Sequence, residues 1–404
     1  MFDFLFNLSI KGIIILYAVI IMANIVFILI TKNIVNKKYK KTQSVEEALY
    51  LEGRLFKYVH FTLFIISVFV STLAIAPHIE VNENLDMFIV IGIGFLLAII
   101  ILIIDSLIMH KTNQELRKTT TTQKEQISNI AIGMIFGAIP MMIIFAVLEI
   151  EPESLNISDS YRVPFKIGLV ILVYILMTLI IPFFYKYLFK AVPFRDNDKA
   201  NAISDFIKQT GINNFKLFLW PTKNGKVANA LVAGLVRKDI YITDYLLENF
   251  TLEETKAIVA HEIGHIKKKH LWKRTGLAIG GLFLFMLTGF FMNKYEEMFA
   301  DIPIWIGIIL FVLIYLFYFV FLIKYISRIQ EMQADEYVLS LGIEPEVMIT
   351  SLFKLAKLNN TVMKFKKHDE TFQTHPGYDR RIKWIMKKGN ISEESLNNIL
   401  NLNS

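Results

Sequence analysis

The sequence predicts a mainly α-helical, polytopic membrane protein with about seven transmembrane helices and a polar domain of helices plus a small β-sheet. Of its 404 residues, 54% are hydrophobic and 20% charged, whereas soluble proteins average about 45–50% and 25%. The apolar residues fall in long blocks with almost no charge. The chain has no cysteine, which excludes disulfide frameworks, thiolate metal sites and cysteine nucleophiles.

Seven blocks are long enough to cross a bilayer, since a spanning helix needs about 20 mostly apolar residues. They are residues 12–30, 59–76, 87–104, 127–148, 165–188, 276–292 and 303–322. Only Lys11 precedes the first block as a cation, and no small-residue cleavage site follows it. We therefore expect the first block to be a retained helix and not a signal peptide.

The charge of the connecting loops alternates along the chain. The loop between the first two spans holds seven Lys and Arg residues, whereas the next loop holds three acidic residues and no Lys or Arg. Basic loops mark the cytoplasmic side. The pattern predicts a multi-pass cell-membrane protein with its N-terminus outside and its C-terminus in the cytoplasm. It also accounts for the net charge of +7 without a nucleic-acid partner.

We divide the chain into four parts. Residues 1–190 hold five transmembrane helices with basic cytoplasmic loops, and residues 276–326 form a hairpin of the sixth and seventh spans. Residues 191–275 and 327–404 are polar enough to be soluble, and both fall on the cytoplasmic side. Because no Pro/Gly linker separates them from the spans, we expect the polar parts to pack onto the membrane helices as one body.

The first polar part begins with short strands. Residues 216–220, 228–235 and 240–243 are expected strands, and Asn224-Gly225 is a hairpin turn signal between the first two. Thr251 and Glu254 then have the spacing of a capping box, which marks the start of a helix.

That helix carries the pattern HExxH, formed by His261, Glu262 and His265. A spacing of four residues places both imidazoles on one helical face, where they can share a metal. Glu262 then lies beside the metal, where a carboxylate can take a proton from an activated water. The alternative is a surface helix with two solvated histidines.

A third ligand is expected downstream. The metzincin extension is absent, because Lys268 and Leu271 stand at its Gly and His positions. His270 is one residue out of register, and we interpret it as solvated. Glu331 and Asp335 lie four residues apart on one helical face after the seventh span, so Glu331 could bind zinc while Asp335 orients a ligand histidine. Alone, such a pair is usually a solvated helix face.

Together these motifs resemble the gluzincin peptidases of the type I CAAX prenyl endopeptidase and HtpX class. The resemblance covers about residues 195–385, and the seven-span layout is more similar to the CAAX endopeptidase branch. It implies one Zn²⁺ per chain with His261, His265 and Glu331 as ligands. It also implies that Glu262 is the general base and that Asp335 acts from behind a ligand.

The resemblance carries over to three further residues. Asn229 matches an edge strand to which substrate adds by backbone hydrogen bonds, although it could be an ordinary strand residue. His375 matches a residue that stabilises the oxyanion, although a histidine near a chain's end is often simply exposed. Arg381 would brace acidic groups at the site or bind substrate. Gly377 replaces the second Pro of the family's HPP segment, which affects the rigidity of that loop.

We therefore expect an integral-membrane zinc-dependent endopeptidase that acts on an extended peptide or a membrane protein at the cytoplasmic face. Its partners would be the lipid bilayer and its substrate, and no nucleic acid. The resemblance implies prenylated C-terminal peptides for one branch and damaged membrane proteins for the other, and the sequence leaves both open.

Two other classes of function fit the sequence less well. A signalling sensor with a similar zinc domain would carry an external penicillin-binding domain, and no external segment is large enough for one. Ser351 and Lys354 match SxxK but have no KTG partner. A transporter needs ionisable groups or broken helices at mid-membrane, and Asp105 stands at a predicted span end, while Pro140 and Pro182 could merely kink their helices.

Overall fold

The computed structural model describes residues 7–60, 70, 74–78, 83–148, 150, 157–195, 197–294, 306, 310 and 313–402. The chain divides into two compact units, Met1–Phe145 and Ala146–Ser404, each held together by its own internal contacts.

The first unit consists mainly of three long apolar helices and one short amphipathic helix, α2. They are α1 (Ile10–Thr42), α2 (Val45–Leu55), α3 (Glu83–Arg117) and α4 (Gln123–Leu148), the last of which ends beyond the unit. Ser9 and Ser44 cap α1 and α2 by accepting hydrogen bonds from first-turn backbone N–H groups. Both α2 and α3 pack against α1.

Several helices are long and apolar enough to cross a membrane. Within the part of the chain that the structure describes, four pass this test of length and composition: Ile10–Thr42, Gly92–Arg117, His270–Phe291 and Leu313–Ser340. A fifth counts if Pro164–Ile180 and Pro182–Leu188, bent by 46°, form one span. These helices lie at the first, third, sixth, seventh and fifth predicted spans.

The second and fourth predicted spans have different outcomes. Helix α4 lies at the fourth predicted span and is 26 residues long. The second predicted span, residues 59–76, falls largely outside the described residues, as does the first half of the seventh. Seven spans were expected, and the described residues show four or five.

A four-stranded sheet follows α5 (Asp159–Leu188) in the second unit. Its strands are β1 (Val192–Pro193), β2 (Phe215–Trp220), β3 (Ala230–Ala233) and β4 (Lys238–Thr243), in the order β1-β2-β4-β3. β2 and β4 are parallel, and the other two pairs are antiparallel. β3 is therefore an edge strand of the sheet.

The hairpin predicted at Asn224-Gly225 is wrong. β2 pairs with β4, and the chain between β2 and β3 contains a 3₁₀ turn at Lys223–Gly225. Ile240, Tyr241 and Ile242 of β4 are fully buried. A strand that is apolar on both faces takes the centre of a sheet, so β4 separates the two strands that the turn signal seemed to join.

Helix α8 (Leu252–Lys267) begins with the predicted capping box, which the structure confirms: Thr251 Oγ1 accepts from Glu254 N, and Glu254 Oε2 accepts from Thr251 N. It follows α6 (Asp198–Gln209) and α7 (Asp244–Asn249). One face of α8, including Ile258 and Ile263, packs into the core under the sheet.

The opposite face of α8 packs on the C-terminal helices through Ala257 and Ala260. The apolar helix α9 (His270–Lys294) follows α8 in the chain. The C-terminal helices are α10 (Ile323–Ser340), α11 (Pro345–Leu358), α12 (Lys367–Thr371), α13 (Tyr378–Gly389) and α14 (Glu393–Leu402). Burial on both faces fixes the direction in which α8 presents its polar side chains.

Gly264 sets the distance between α8 and α10. A Cβ atom at this position would lie 3.1 Å from Ala334 Cα, 3.2 Å from Ala334 O and 3.2 Å from Tyr337 Cβ. The two helices therefore approach more closely than any larger residue would comfortably allow, and their functional side chains meet.

Candidate metal centre

The three predicted metal ligands lie together where α8 contacts α10. The Nε2 atoms of His261 and His265 are 3.2 Å apart. Glu331 completes the triangle, with Oε2 3.3 Å from His261 Nε2 and Oε1 3.5 Å from His265 Nε2. His261 and Glu331 are buried, and His265 is partly buried.

The spacing of these donors fits a zinc ion. Zinc binds imidazole nitrogen and carboxylate oxygen at about 2.0–2.2 Å in tetrahedral sites, so neighbouring ligand atoms lie about 3.3–3.5 Å apart. In both rings Nδ1 contacts another side chain, Asp335 for His261 and His270 for His265. If each Nδ1 carries the ring proton, the two Nε2 lone pairs face each other, and a cation between them removes the repulsion.

The two histidines have opposite pKa shifts. Burial and Arg381 lower the pKa of His261, but hydrogen bonds with Asp335 and Glu331 outweigh them and raise it to about 9. Burial and the neighbouring His261 lower the pKa of His265 to about 2. The surroundings thus favour the charged form of His261 and the neutral form of His265, and the neutral imidazole is the form that binds a metal.

Asp335 lies behind His261 as seen from the other candidate ligands. Its Oδ1 is 2.8 Å from His261 Nδ1. Arg381 holds the same carboxylate from α13, with Nη2 2.6 Å from Oδ1 and Nε 2.9 Å from Oδ2. Asp335 is fully buried and Arg381 nearly so. Of the two roles expected for Arg381, its contacts are those of a brace for an acidic group.

His270 was expected to be solvated, and that prediction is wrong. Its side chain is 1% exposed, with Nδ1 2.8 Å from His265 Nδ1 and Nε2 3.0 Å from Gln333 Oε1. It stands at the first residue of α9, where the chain turns back towards the site after Lys269 takes a positive φ of 55°. Sequence reasoning missed it because its partner Gln333 comes from α10, far along the chain.

Glu262 lies between the metal ligands and the edge of the sheet. Its carboxylate accepts a hydrogen bond from the backbone N–H of Val232 in β3, and burial raises its pKa to about 7. β4 covers the other edge of β3. The edge that faces Glu262 is therefore the one on which no strand pairs among the described residues.

A cavity of about 470 Å³ joins the ligands, Glu262 and the edge strand. Asn229 lines it and is tied to β4 through hydrogen bonds with Thr243. His375 enters from the C-terminal segment, with Nδ1 2.9 Å from Glu331 Oε2, although 61% of its side chain is exposed. The structure thus places every predicted site residue at this cavity or directly behind it.

Residues 195–388 match the model of Peptidase family M48. This stretch, just under half of the chain, resembles an M48 peptidase domain, and we refer to it as the M48 domain. This domain contains β2, β3, β4 and the helices that bring the candidate ligands together, and it includes all the predicted site residues.

Two curated relatives match this region. The chain is 29% identical over 218 residues to CAAX prenyl protease 1 of Saccharomyces cerevisiae. The match covers 46% of this chain and 48% of the yeast protein. It is 28% identical over 187 residues to the Protease HtpX homolog of Helicobacter pylori, which covers 41% of this chain and 59% of that protein. The chain thus matches only about half to three fifths of the length of these relatives.

The fold outside the M48 domain has a solved counterpart too. The crystal structure of S. mikatae Ste24p aligns with a TM-score of 0.63 over 92% of this chain and 99% of that chain, at 20% identity. This likeness and the apolar helices confirm the predicted mainly helical, polytopic fold with a small sheet. They also support a membrane location.

Proposed function

We propose that this protein is an integral-membrane zinc endopeptidase that hydrolyses peptide bonds in extended segments of its substrates. One observation carries the proposal. Two histidines and a glutamate lie 3.2–3.5 Å from one another, beside a carboxylate that contacts the open edge of β3. Structural zinc sites are closed by four protein ligands, whereas catalytic sites use three and keep one position open.

Each residue of the candidate site would have its own role in the reaction. His261, His265 and Glu331 would hold one Zn²⁺, which when bound acidifies a water molecule and polarises the scissile carbonyl. Glu262 would take the proton of that water and pass it to the leaving amine. A pKa near the working pH suits a group that first accepts and then donates a proton, and burial brings Glu262 close to that value.

The substrate would bind as an added strand along β3. Main-chain hydrogen bonds to the free edge fix the peptide without selecting its side chains, and the contact of Glu262 with Val232 keeps the base at that edge. Asn229 would extend this edge. His375 would donate a hydrogen bond to the oxyanion, which is worth about 10²–10³-fold in rate for comparable groups.

The substrate class stays open between prenylated C-terminal peptides and damaged membrane proteins at the cytoplasmic face. The name of the yeast relative, CAAX prenyl protease 1, supports the first class. The second class rests on the resemblance to the HtpX branch, to which a second relative belongs by name. A matched pair of peptides with and without a farnesyl group separates them. Strong preference for the farnesylated peptide indicates the first class, and equal cleavage indicates the second.

Exchanging Glu262 for Gln tests the reaction itself. We expect the variant to retain one equivalent of zinc by elemental analysis and to lose about 10²–10⁴-fold in peptide hydrolysis, because only the proton acceptor is removed. Full activity in this variant would contradict the proposed mechanism. A variant with His261 and His265 both changed to Ala should lose zinc as well as activity.

A further inference from the structure

The helices of the first unit surround a second cavity, of about 420 Å³. Its polar lining comes from all four helices and includes Thr31, Glu52, Asp105, Ser106, Asn113 and Gln126. Two of these are carboxylates, and the described lining contains no Lys, Arg or His. The lining therefore holds two acidic groups, and His60 lies beside one of them.

Asp105 is the deepest ionisable group of this lining. The third span was predicted to end just before it, but the structure continues the helix for twelve residues to Arg117, a rise of about 18 Å. Asp105 is 3% exposed, its Oδ1 accepts from Asn24 Nδ2 at 2.6 Å, and its Oδ2 lies 3.4 Å from His60 Nδ1. An ionisable residue inside a membrane helix is costly and usually functional.

Several buried polar atoms at this cavity lack a hydrogen-bond partner. Among the described residues they include Asp105 Oδ2, Ser106 Oγ and Asn113 Oδ1. His60 Nδ1, 3.4 Å from Asp105 Oδ2, is also without a partner, and it is a further acceptor when Nε2 carries the ring proton towards Thr31 Oγ1. Asn113 gives an N–H of its amide to Glu52, at 2.9 Å, and burial raises the pKa of Glu52. Buried acceptors without donors are unfavourable, so a ligand that brings several donors and a positive charge would satisfy this lining.

We propose that this cavity binds a small organic cation with a primary ammonium group. The ammonium would donate to Asp105 Oδ2, Asn113 Oδ1 and Ser106 Oγ. Its hydrocarbon part would lie against Phe56 and Met109, which also line the cavity. The volume is within the roughly 300–1,000 Å³ of ligand pockets and exceeds the needs of a bare metal ion.

The same ammonium chemistry occurs in free amines and in the ethanolamine headgroup of a lipid. Both would enter from the end of α3 that leads to Arg117, since Glu52 and Gln126 line the cavity near that end. The proposal is independent of the zinc site, which belongs to the other unit.

The test uses the full-length protein in a maltoside detergent, with n-butylammonium chloride as the probe and 1-butanol as its uncharged counterpart. We expect saturable calorimetric binding and a rise in the unfolding temperature with n-butylammonium, since a ligand of the folded state stabilises it. No such effect is expected with 1-butanol. Asp105→Asn should weaken the binding at least about tenfold, the effect of losing one charged partner.

Glu115→Gln is the matched control, because Glu115 is an exposed carboxylate on the same helix and should leave binding unchanged. If Asp105→Asn does not fold, Glu52→Gln provides the second variant, with the unfolding temperature without ligand as the check. The proposal would be overturned if butanol or sodium chloride raised the unfolding temperature as much as n-butylammonium does. It would also be overturned if Asp105→Asn and Glu115→Gln bound n-butylammonium equally well. Co-purified phosphatidylethanolamine that butylammonium displaces would identify the lipid source, and its absence the free amine.

Discussion

At the scale of single residues, the two histidines of the candidate metal centre are held in different ways. His261 rests on a buried carboxylate that Arg381 fixes from the other side. His265 rests on a neutral imidazole, His270, which Gln333 fixes in turn. If the Nδ1–H of His265 donates a hydrogen bond to His270 Nδ1, then the ring proton of His270 is on Nε2, which donates to Gln333 Oε1. Such outer contacts set the tautomer and orientation of a ligand.

We expect His270→Ala to weaken zinc binding about 10–100-fold, because His265 loses the acceptor that orients its ring. The measurement is zinc affinity by competition with a chelating dye, which does not depend on activity. Lys268→Ala, an exposed neighbour, should leave the affinity unchanged. His270→Asn, which can still accept a hydrogen bond, should recover part of the loss, and unaltered affinity in His270→Ala would refute the role.

Arg381 allows a second test at this scale. Arg381→Ala leaves the buried Asp335 carboxylate without its charged partner, and breaking a buried pair in this way costs about 3–5 kcal/mol. We expect a large fall in the unfolding temperature of the metal-free protein. Arg380→Ala is the control, because Arg380 is exposed and only reaches Glu370 at 3.4 Å. Similar unfolding temperatures for the two variants would contradict the contact.

At the scale of elements, the site depends on how closely α8 packs against α10. The HExxH spacing was enough to predict two ligands on one face, since it is a property of one helix. Pairing Glu331 with them needed more than one helix: its spacing to Asp335, its position after the seventh span and the family resemblance. The approach of two helices is set by tertiary packing, which no local spacing determines. Gly264 is the residue that permits this approach.

Gly264→Ala should therefore destabilise the protein by about 1–3 kcal/mol, the usual cost of overpacking a buried contact, and weaken zinc binding. Its Cβ would press on the backbone of Ala334, which cannot move aside as a flexible side chain can. Gly276→Ala is the matched control, because nothing lies within 4 Å of its added Cβ. Thermal unfolding compares the two, and equal stability would show that the helices can separate freely.

The start of α8 gives a smaller, local prediction. Thr251→Ala removes one half of the capping box and should cost about 1 kcal/mol of unfolding free energy. Thr251→Ser keeps the hydroxyl oxygen and should recover most of it. A chemical-denaturation midpoint that does not move in Thr251→Ala would mean that the packing of α8 alone fixes its first turn.

At the scale of the whole molecule, the fold class was predictable because apolar blocks and loop charges are summed over many residues. The sheet order was not, because a turn signal such as Asn224-Gly225 is local, whereas the central place of β4 follows from burial on both faces. The burial of Asp105 is likewise not a local property, because its partner Asn24 comes from α1, far along the chain.

The orientation in the membrane remains a prediction, and the chain is well suited to test it. Because it has no cysteine, single cysteines give an unambiguous signal with an impermeant maleimide. We expect Lys223→Cys, in the 3₁₀ turn of the M48 domain, to react only in inverted vesicles, and His78→Cys only in intact cells. The cysteine-free parent should not react, and the reverse pattern would overturn the predicted sidedness.

The short edge strand has one more consequence. β3 is four residues long, which at about 3.3 Å per residue is roughly 13 Å. If substrates bind along β3 as proposed, only a segment whose own backbone N–H and C=O groups are free can pair with it, and a helix or an internal strand of a folded protein would be rejected whatever its sequence. The proposed peptidase would then choose its targets by whether their chains are already unwound, and the folded proteins around it would need no further protection.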